Sequence, residues 1–244
     1  MKNKKWLILL AITAMLLFAY GGKLTSSSFN NGKSSTDNIL RVKNAPLFGA
    51  ADNFAVLAYS TVTNTGATTI TGDIGVSPKT SLVGFPPGLI VNGTTNVADA
   101  AAAQAQLDLT TAYNDAAART PYITETTLGG LNLPPGIYHS DGALSLTGVL
   151  TLTGDANAVW IFQARSTLDT AVGSQIVLSG GAKADNVYWA VGSSATLGAN
   201  SIFKGNIMAY ASITLNTGAS LEGRALAQTA AVTLNDNTIT KPSP

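Results

Sequence analysis

The 244-residue chain has no cysteine, a single histidine and little charge, with Lys, Arg, Asp and Glu together making up 11% of it. Each shortage closes off a kind of chemistry. Without cysteine there is no disulfide framework, no thiolate nucleophile and no Cys-ligated metal. The one histidine, His139, follows Pro134-Pro135-Gly136-Ile137-Tyr138 with no second ligand at metal-binding spacing, so it reads as a surface residue beside a turn. Asp73, Asp155, Asp185 and Asp236 each adjoin Gly, Ala or Asn, the usual company of turn aspartates rather than of a catalytic pair. No nucleophile elbow, phosphate loop or dinucleotide fingerprint is present. Gly72-Asp73-Ile74-Gly75 lacks the Lys and the following helix of a phosphate loop and reads as a turn. The expectation is a protein that is not an enzyme and uses no cofactor or metal.

The few charges are unevenly placed. Residues 1–44 carry seven basic residues and one acid, whereas the rest of the chain carries 7 basic and 12 acidic residues. A mildly acidic body has no electrostatic footprint for nucleic acid. Lys2, Lys4 and Lys5 precede an apolar run from Trp6 to Tyr20, a length that suits export rather than membrane spanning. Residues 1–22 therefore read as a signal peptide, which predicts a secreted or periplasmic protein with no stable membrane insertion after cleavage. Residues 23–44, with Ser26-Ser27-Ser28 and Asn30-Asn31-Gly32, have the composition of a flexible linker. A single domain is expected over 45–244, as a monomer.

That domain is repetitive. Ala195-Thr196-Leu197, Ile213-Thr214-Leu215 and Val232-Thr233-Leu234 place their leucines 18 and 19 residues apart, and Gly205 and Gly223 follow at the same interval. Ile176-Val177-Leu178 looks like an earlier copy. At roughly 3.3 Å per residue, one repeat has the contour of three short strands and their corners. That is one rung of a β-solenoid of triangular section, whose apolar side is buried only by stacking on neighbours. Leu178, Leu197, Leu215 and Leu234, with Ile202, Leu221 and Ile239, are the expected internal ladders. Trp160, Trp189 and Tyr188 lie in apolar strands and read as core.

Residues from about 96 to 119 depart from this pattern. They are alanine-rich, with Asn96 as the expected N-cap and Pro121 as the stop, which predicts one long helix along a flank of the solenoid. Ala100, Ala103, Leu107 and Ala117, with Leu109 and Tyr113, form its expected apolar stripe.

The abundant polar residue is threonine, with 27 beyond residue 44. Thr69, Ser201, Ser220 and Thr238 stand just before the expected inward residues Ile70, Ile202, Leu221 and Ile239, so strand alternation should turn them outward. Stacked rungs would set them in a column at intervals of about 4.8 Å. Ala67, Ala199 and Gly218 keep the surroundings small. A flat, weakly charged face of methyls and hydroxyls at near-crystalline spacing suits solid water. The competing reading is an adhesive or polysaccharide-binding solenoid, which would line a groove with aromatics.

Several segments also resemble one known family. These are Phe54-Ala55-Val56-Leu57-Ala58, Thr68 to Pro78 through Gly72-Asp73-Ile74-Gly75, Pro135-Gly136-Ile137-Tyr138, Ala158-Val159-Trp160-Ile161-Phe162-Gln163, Val187 to Gly198, and Gly223-Arg224-Ala225-Leu226-Ala227-Gln228-Thr229. In this order they are similar to the microbial ice-binding (antifreeze) proteins. The resemblance implies a mostly β fold, an irregular right-handed β-solenoid of triangular cross-section with one long α-helix packed alongside. It implies an N-terminal segment docked against the C-terminal rungs, and adsorption to ice with thermal hysteresis or inhibition of recrystallisation. It also implies a Thr-Ala/Gly-x-Thr/Asn motif on the ice-contacting face. Thr65-Gly66-Ala67-Thr68 fits it, Thr217-Gly218-Ala219-Ser220 fits with serine last, Leu197-Gly198-Ala199-Asn200 lacks the leading threonine, and Asn235 to Thr238 keeps only the final one. The expected ice-contacting set is Thr65, Gly66, Ala67, Thr68, Thr69, Ala199, Asn200, Ser201, Thr217, Gly218, Ala219, Ser220 and Thr238.

Overall fold

A computed structural model describes residues 45–242; the signal peptide and linker expected over residues 1–44 lie outside the described residues. Short parallel strands stack into three faces. On the first, the strands run Thr95–Val97, Asp73–Val76, Phe54–Ala58, the second halves of Ser220–Ala227 and Ile202–Ala209, then Val187–Val191, Trp160–Ala164, Gly136–Ser140 and Ile123–Thr124. The second continues the same sheet around a corner. It comprises Leu89–Val91, Thr69–Thr71, Thr238–Thr240, the first halves of Ser220–Ala227 and Ile202–Ala209, then Gln175–Ser179, Val149–Thr153 and Asn132–Leu133. The third is a separate seven-stranded sheet from Ser81–Val83 through Thr61–Thr65, Val232–Asn235, Ile213–Leu215, Ala195–Leu197 and Leu168–Thr170 to Leu144–Leu146. These are the three sides expected of a triangular solenoid.

The corner between the first two faces needs glycine. Gly205 has φ +109°, and a Cβ on Gly223 would lie 1.9 Å from the Gly205 carbonyl oxygen. Gly72, at φ +123°, makes the same bend in the N-terminal rung, so Gly72-Asp73 is a solenoid corner.

Inside, the ladders are largely those expected. Leu197, Leu215 and Leu234 are buried in register, as are Leu221, Ile239 and Ile70. Two places differ. Ile202 points out, 43% exposed, and Phe203 takes the inward position opposite Leu221. The four-residue turn after Leu197 matches the one after Leu215, which fixes this phase. Ile176-Val177-Leu178 is not a copy of the repeat, for it lies on the second face opposite Leu150-Thr151-Leu152. The strand before Ala195–Leu197 is Leu168–Thr170 instead. That rung is enlarged by the five-residue strand Gln175–Ser179 and the short 3-10 turn Ala184–Asn186, so the regular period fails there. Trp160, Trp189 and Tyr188 are core, as expected. Phe162 stacks on Trp189 at 4.0 Å between ring centroids, with Tyr138 and Phe203 extending the row on either side. Each such pair adds about 0.5–1.5 kcal/mol beyond its burial. The indole N–H groups of Trp160 and Trp189 donate to the carbonyls of Leu133 and Lys204, so neither ring strands a polar atom.

Apart from its outermost strands, Thr95–Val97 and Ile123–Thr124, the first face is largely buried on both sides because a helix, α1 (Ala100–Ala118), covers it. Asp99 is its N-cap, accepting from Ala102 N–H at 2.8 Å. Asn96 lies instead in a strand paired with Gly75, so the N-cap falls three residues later than expected. Its packing stripe also differs from the expected one. Ala102, Ala105, Leu109, Ala112 and Ala116 are buried, and Leu107 is 65% exposed. Leu109 meets the expectation, while Ala100, Ala103 and Ala117 face solvent. The buried stripe alternates steps of three and four residues, which keeps one side of the helix on the sheet. Four alanines let the helix approach Ile137, Ile161, Tyr188, Ala190 and Leu226 closely. Asp99→Ala is expected to cost about 1 kcal/mol, measured by denaturant unfolding, since it removes the only side-chain cap at that end.

At 1.5 Å per residue α1 is about 28 Å long, or about six strand spacings. That length explains the chain path. Residues 54–97 build the end of the stack that adjoins the last rungs, Val56 pairing with Ala225 and Ile70 with Ile239. The helix then carries the chain to the far end, and the remaining rungs are laid back toward the start.

His139, expected at the surface beside a turn, is not there. It is buried, with Nδ1 3.0 Å from Gln163 Oε1, Nε2 3.1 Å from Asp141 Oδ1, and its ring stacked on Tyr122. Strand Gly136–Ser140 runs on the first face, where the end of α1 and the residues after it cover it. Gln163 in turn donates to the carbonyls of Ala116 and Arg119 at the C-terminus of α1.

Candidate functional site

The other two faces are open, and their outward residues line up strand by strand. On the second face, Leu89, Thr69, Thr238, Ser220 and Ile202 are direct neighbours in register, followed by Gln175 and Val149. Two residues further along each strand stand Val91, Thr71, Thr240, Glu222 and Lys204. Five hydroxyls therefore form a compact patch, Thr69, Thr71, Thr238, Thr240 and Ser220. They are separated by about 4.8 Å across strands and about 6.6 Å along them. Aliphatic side chains flank the first column at both ends, Leu89 and Ile202 being 60% and 43% exposed. The Lys204–Glu222 ion pair closes the second column on one side.

The edge between the two open faces is equally regular. Gly173, Asn200, Gly218, Asp236 and Gly66 all have positive φ, and each in turn donates its N–H to the residue before the next one: Gly173 to Ala199, Asn200 to Thr217, Gly218 to Asn235, Asp236 to Thr65. Every rung here turns through a left-handed residue, which explains the Gly, Asn and Asp at that place. The residues just before it, Ala199, Thr217, Asn235 and Thr65, form an edge column in which Asn235 Nδ2 donates to Thr217 Oγ1 at 2.8 Å.

The expected residues divide accordingly. Thr69, Ser220 and Thr238 share one outward column, and Thr65, Thr217 and Ala199 share the edge with Gly66, Asn200 and Gly218. Ala67 is an exposed extra residue, its N–H bonded to Asp236 Oδ1. Three expectations are corrected: Thr68, Ser201 and Ala219 are buried at 0%, 1% and 0% exposure and cannot touch anything outside. They follow the left-handed turn and point inward, together with Ser174 and Asn237, and Thr68 Oγ1 accepts from Asn237 N–H. Because of Ala67, the residue that matches Ser220 is Thr69, not Thr68, although the sequence motif aligns Thr68 with it.

The seven-stranded face holds a set that the sequence reading missed. Ser145, Asp169, Thr196, Thr214, Thr233, Thr63 and Val83 face outward in register, with four threonines consecutive. The signal is the central threonine of each Ala/Ile/Val-Thr-Leu triplet, which marks an outward column as well as the repeat. Ser194 and Ser212 Oγ atoms lie 2.9 Å apart beside this ladder.

Nothing on either open face gathers acids and bases into a reacting set, and among the described residues no three His, Asp or Glu side chains cluster as metal ligands. Burial pushes the phenols of Tyr138 and Tyr188 well above their ordinary range, keeping both neutral inside the structure.

The family model described as Ice-binding-like matches residues 56–240. This chain belongs to that family. It is 47% identical over 242 residues to an ice-binding protein of Nostoc sp. (strain HG1), covering 97% of this chain and 82% of the relative. Among solved structures, an ice-binding protein from an Antarctic biological consortium superposes with TM-score 0.80 at 52% identity, covering 82% of this chain and 92% of that one. The ice-binding protein of the Antarctic ascomycete Antarctomyces psychrotrophicus gives TM-score 0.79 at 44% identity, over 82% and 100%. The family assignment agrees with the resemblance read from the sequence, and the superpositions agree with the solenoid and flanking helix expected from it.

Proposed function

We propose that this protein adsorbs to ice through the second face, centred on the register-locked column Thr69–Thr238–Ser220 and its neighbours Thr71 and Thr240. The observation that carries the reading is that column: short hydroxyls, two of them in each threonine rung, held by parallel backbone at one repeat distance. Ordered backbone fixes the side chains before contact, so little conformational entropy is lost on adsorption. Methyls and flanking aliphatics favour an ordered water layer, and the hydroxyls anchor it. Edge residues Thr65, Thr217, Ala199 and Asn200 would extend the contact around the corner.

A second reading places ice on the seven-stranded face, favoured by four consecutive threonines, Thr63, Thr233, Thr214 and Thr196. A polysaccharide-binding role is disfavoured because Trp160 and Trp189 are fully buried and line no outer groove. We read the protein as a binder rather than an enzyme, without cofactor or metal, a monomer that contacts neither nucleic acid nor membrane in its mature form. Export by residues 1–22 to the periplasm or medium belongs to the same proposal. The direct test is nanolitre osmometry on residues 45–244. Faceted crystals and a measurable freezing hysteresis are expected; rounded growth indistinguishable from buffer, with a folded sample, would sink the reading.

A further inference from the structure

The second face carries one feature that does not suit adsorption. Lys204 and Glu222 are opposite each other in register, and Glu222 is opposite Thr240, which is opposite Thr71. The ion pair therefore occupies the two positions that would continue the Thr71–Thr240 column beside Ser220 and Ile202. A shallow depression lined by Ile202, Ser220, Glu222, Lys204, Thr238 and Thr240 marks the same spot. The two side chains are 26% and 45% exposed, so both keep part of their hydration. An exposed pair of this kind adds little stability.

We infer that the Lys204–Glu222 pair is the boundary of the ice-contacting patch and limits how strongly that patch adsorbs. The inference rests on the proposed assignment of the second face. Water around an ammonium or carboxylate is oriented by the charge rather than by its neighbours, and docking a lattice against it means stripping or distorting that shell. Each charge is tolerable while its partner neutralises it. Removing one partner leaves the other unpaired on the face, which is worse than the pair. Removing both in favour of threonine would lengthen the second column from two hydroxyls to four.

This gives a non-additive signature. At equal molar concentration, Lys204→Thr/Glu222→Thr is expected to raise thermal hysteresis about twofold, whereas each single change leaves it at or below the parent value. Lys204→Gln/Glu222→Gln, which keeps side-chain length and a hydrogen bond, guards against a packing defect in the threonine pair and should also exceed the parent. Ser220→Tyr belongs in the same series. If Ser220→Tyr loses hysteresis but both neutral pairs stay at or below the parent while folded, the role given to the ion pair is wrong and the face stands. If Ser220→Tyr keeps full hysteresis, the face and the ion-pair inference fall together.

Discussion

Ser220→Tyr is expected to remove most of the thermal hysteresis while the protein stays folded. Ser220 lies at the centre of the outward column, with Thr238 on one side and Ile202 on the other. A tyrosine ring there must stand several ångströms proud of neighbours that carry only two or three heavy atoms beyond Cβ. A flat solid could then touch the ring or the surrounding hydroxyls, not both. Thr69→Tyr should behave alike, since Thr69 is the next but one residue in the column. Both side chains leave the core untouched, so unfolding free energy should move by no more than about 0.5 kcal/mol. Thr214→Tyr is the matched change on the seven-stranded face and is expected to leave hysteresis nearly intact. A reversal, with Thr214→Tyr inactive and Ser220→Tyr active, would move the ice contact to the other open face of the same solenoid.

The second large effect concerns stability. Arg224 is fully buried, yet its guanidinium makes four hydrogen bonds. Nε donates to the Asp52 carbonyl and Nη2 to Asp52 Oδ1, while Nη1 donates to Asp185 Oδ1 and Asn206 Oδ1, all between 2.6 and 3.1 Å. Phe48 lies over the same group at 5.3 Å. One side chain thus ties the turn before the first strand to two later rungs. Truncation would leave buried Asn206 and part-buried Asp185 without their donor. Arg224→Ala is expected to cost about 3–5 kcal/mol, and to lower the melting temperature by on the order of 10 °C. Lys cannot reproduce a fork of donors pointing three ways, so Arg224→Lys should recover less than half of the loss. A melting temperature within about 2 °C of the parent for Arg224→Ala would show that the cluster only breaks even against its own desolvation.

How far such features can be read from sequence depends on whether their cause is local. The triplets around Thr196, Thr214 and Thr233 revealed the rung, because identical neighbours stack on one another and the spacing itself is the signal. The phase within each rung is harder. It is set by turn length, and the single extra Ala67 shifts Thr68 inward and brings Thr69 level with Ser220. Ile202 and Phe203 exchange roles for the same kind of reason, as neither residue type says which will face Trp189. The start of α1 had two adequate caps within four residues, and pairing of Asn96 with Gly75 decided between them. The burial of His139 and Arg224 was beyond local reading, since Gln163 and Tyr122 come to the one, and Asp52 and Asp185 to the other, from other strands and turns. The family resemblance supplied the docking of the N-terminal rungs, which no periodicity in those residues announces.

That docking also sets when the molecule can exist. The strand Phe54–Ala58 has its neighbour at Ala225–Leu226, and Thr68 meets Asn237 across 169 residues. During synthesis the earliest rungs therefore wait, without one of their two flanking strands, until residues 225–240 have been made. Contacts so distant along the chain form slowly. Completion is governed by the arrival of residues 225–240, so these late strands serve as the timing element of assembly for rungs made about 170 residues earlier.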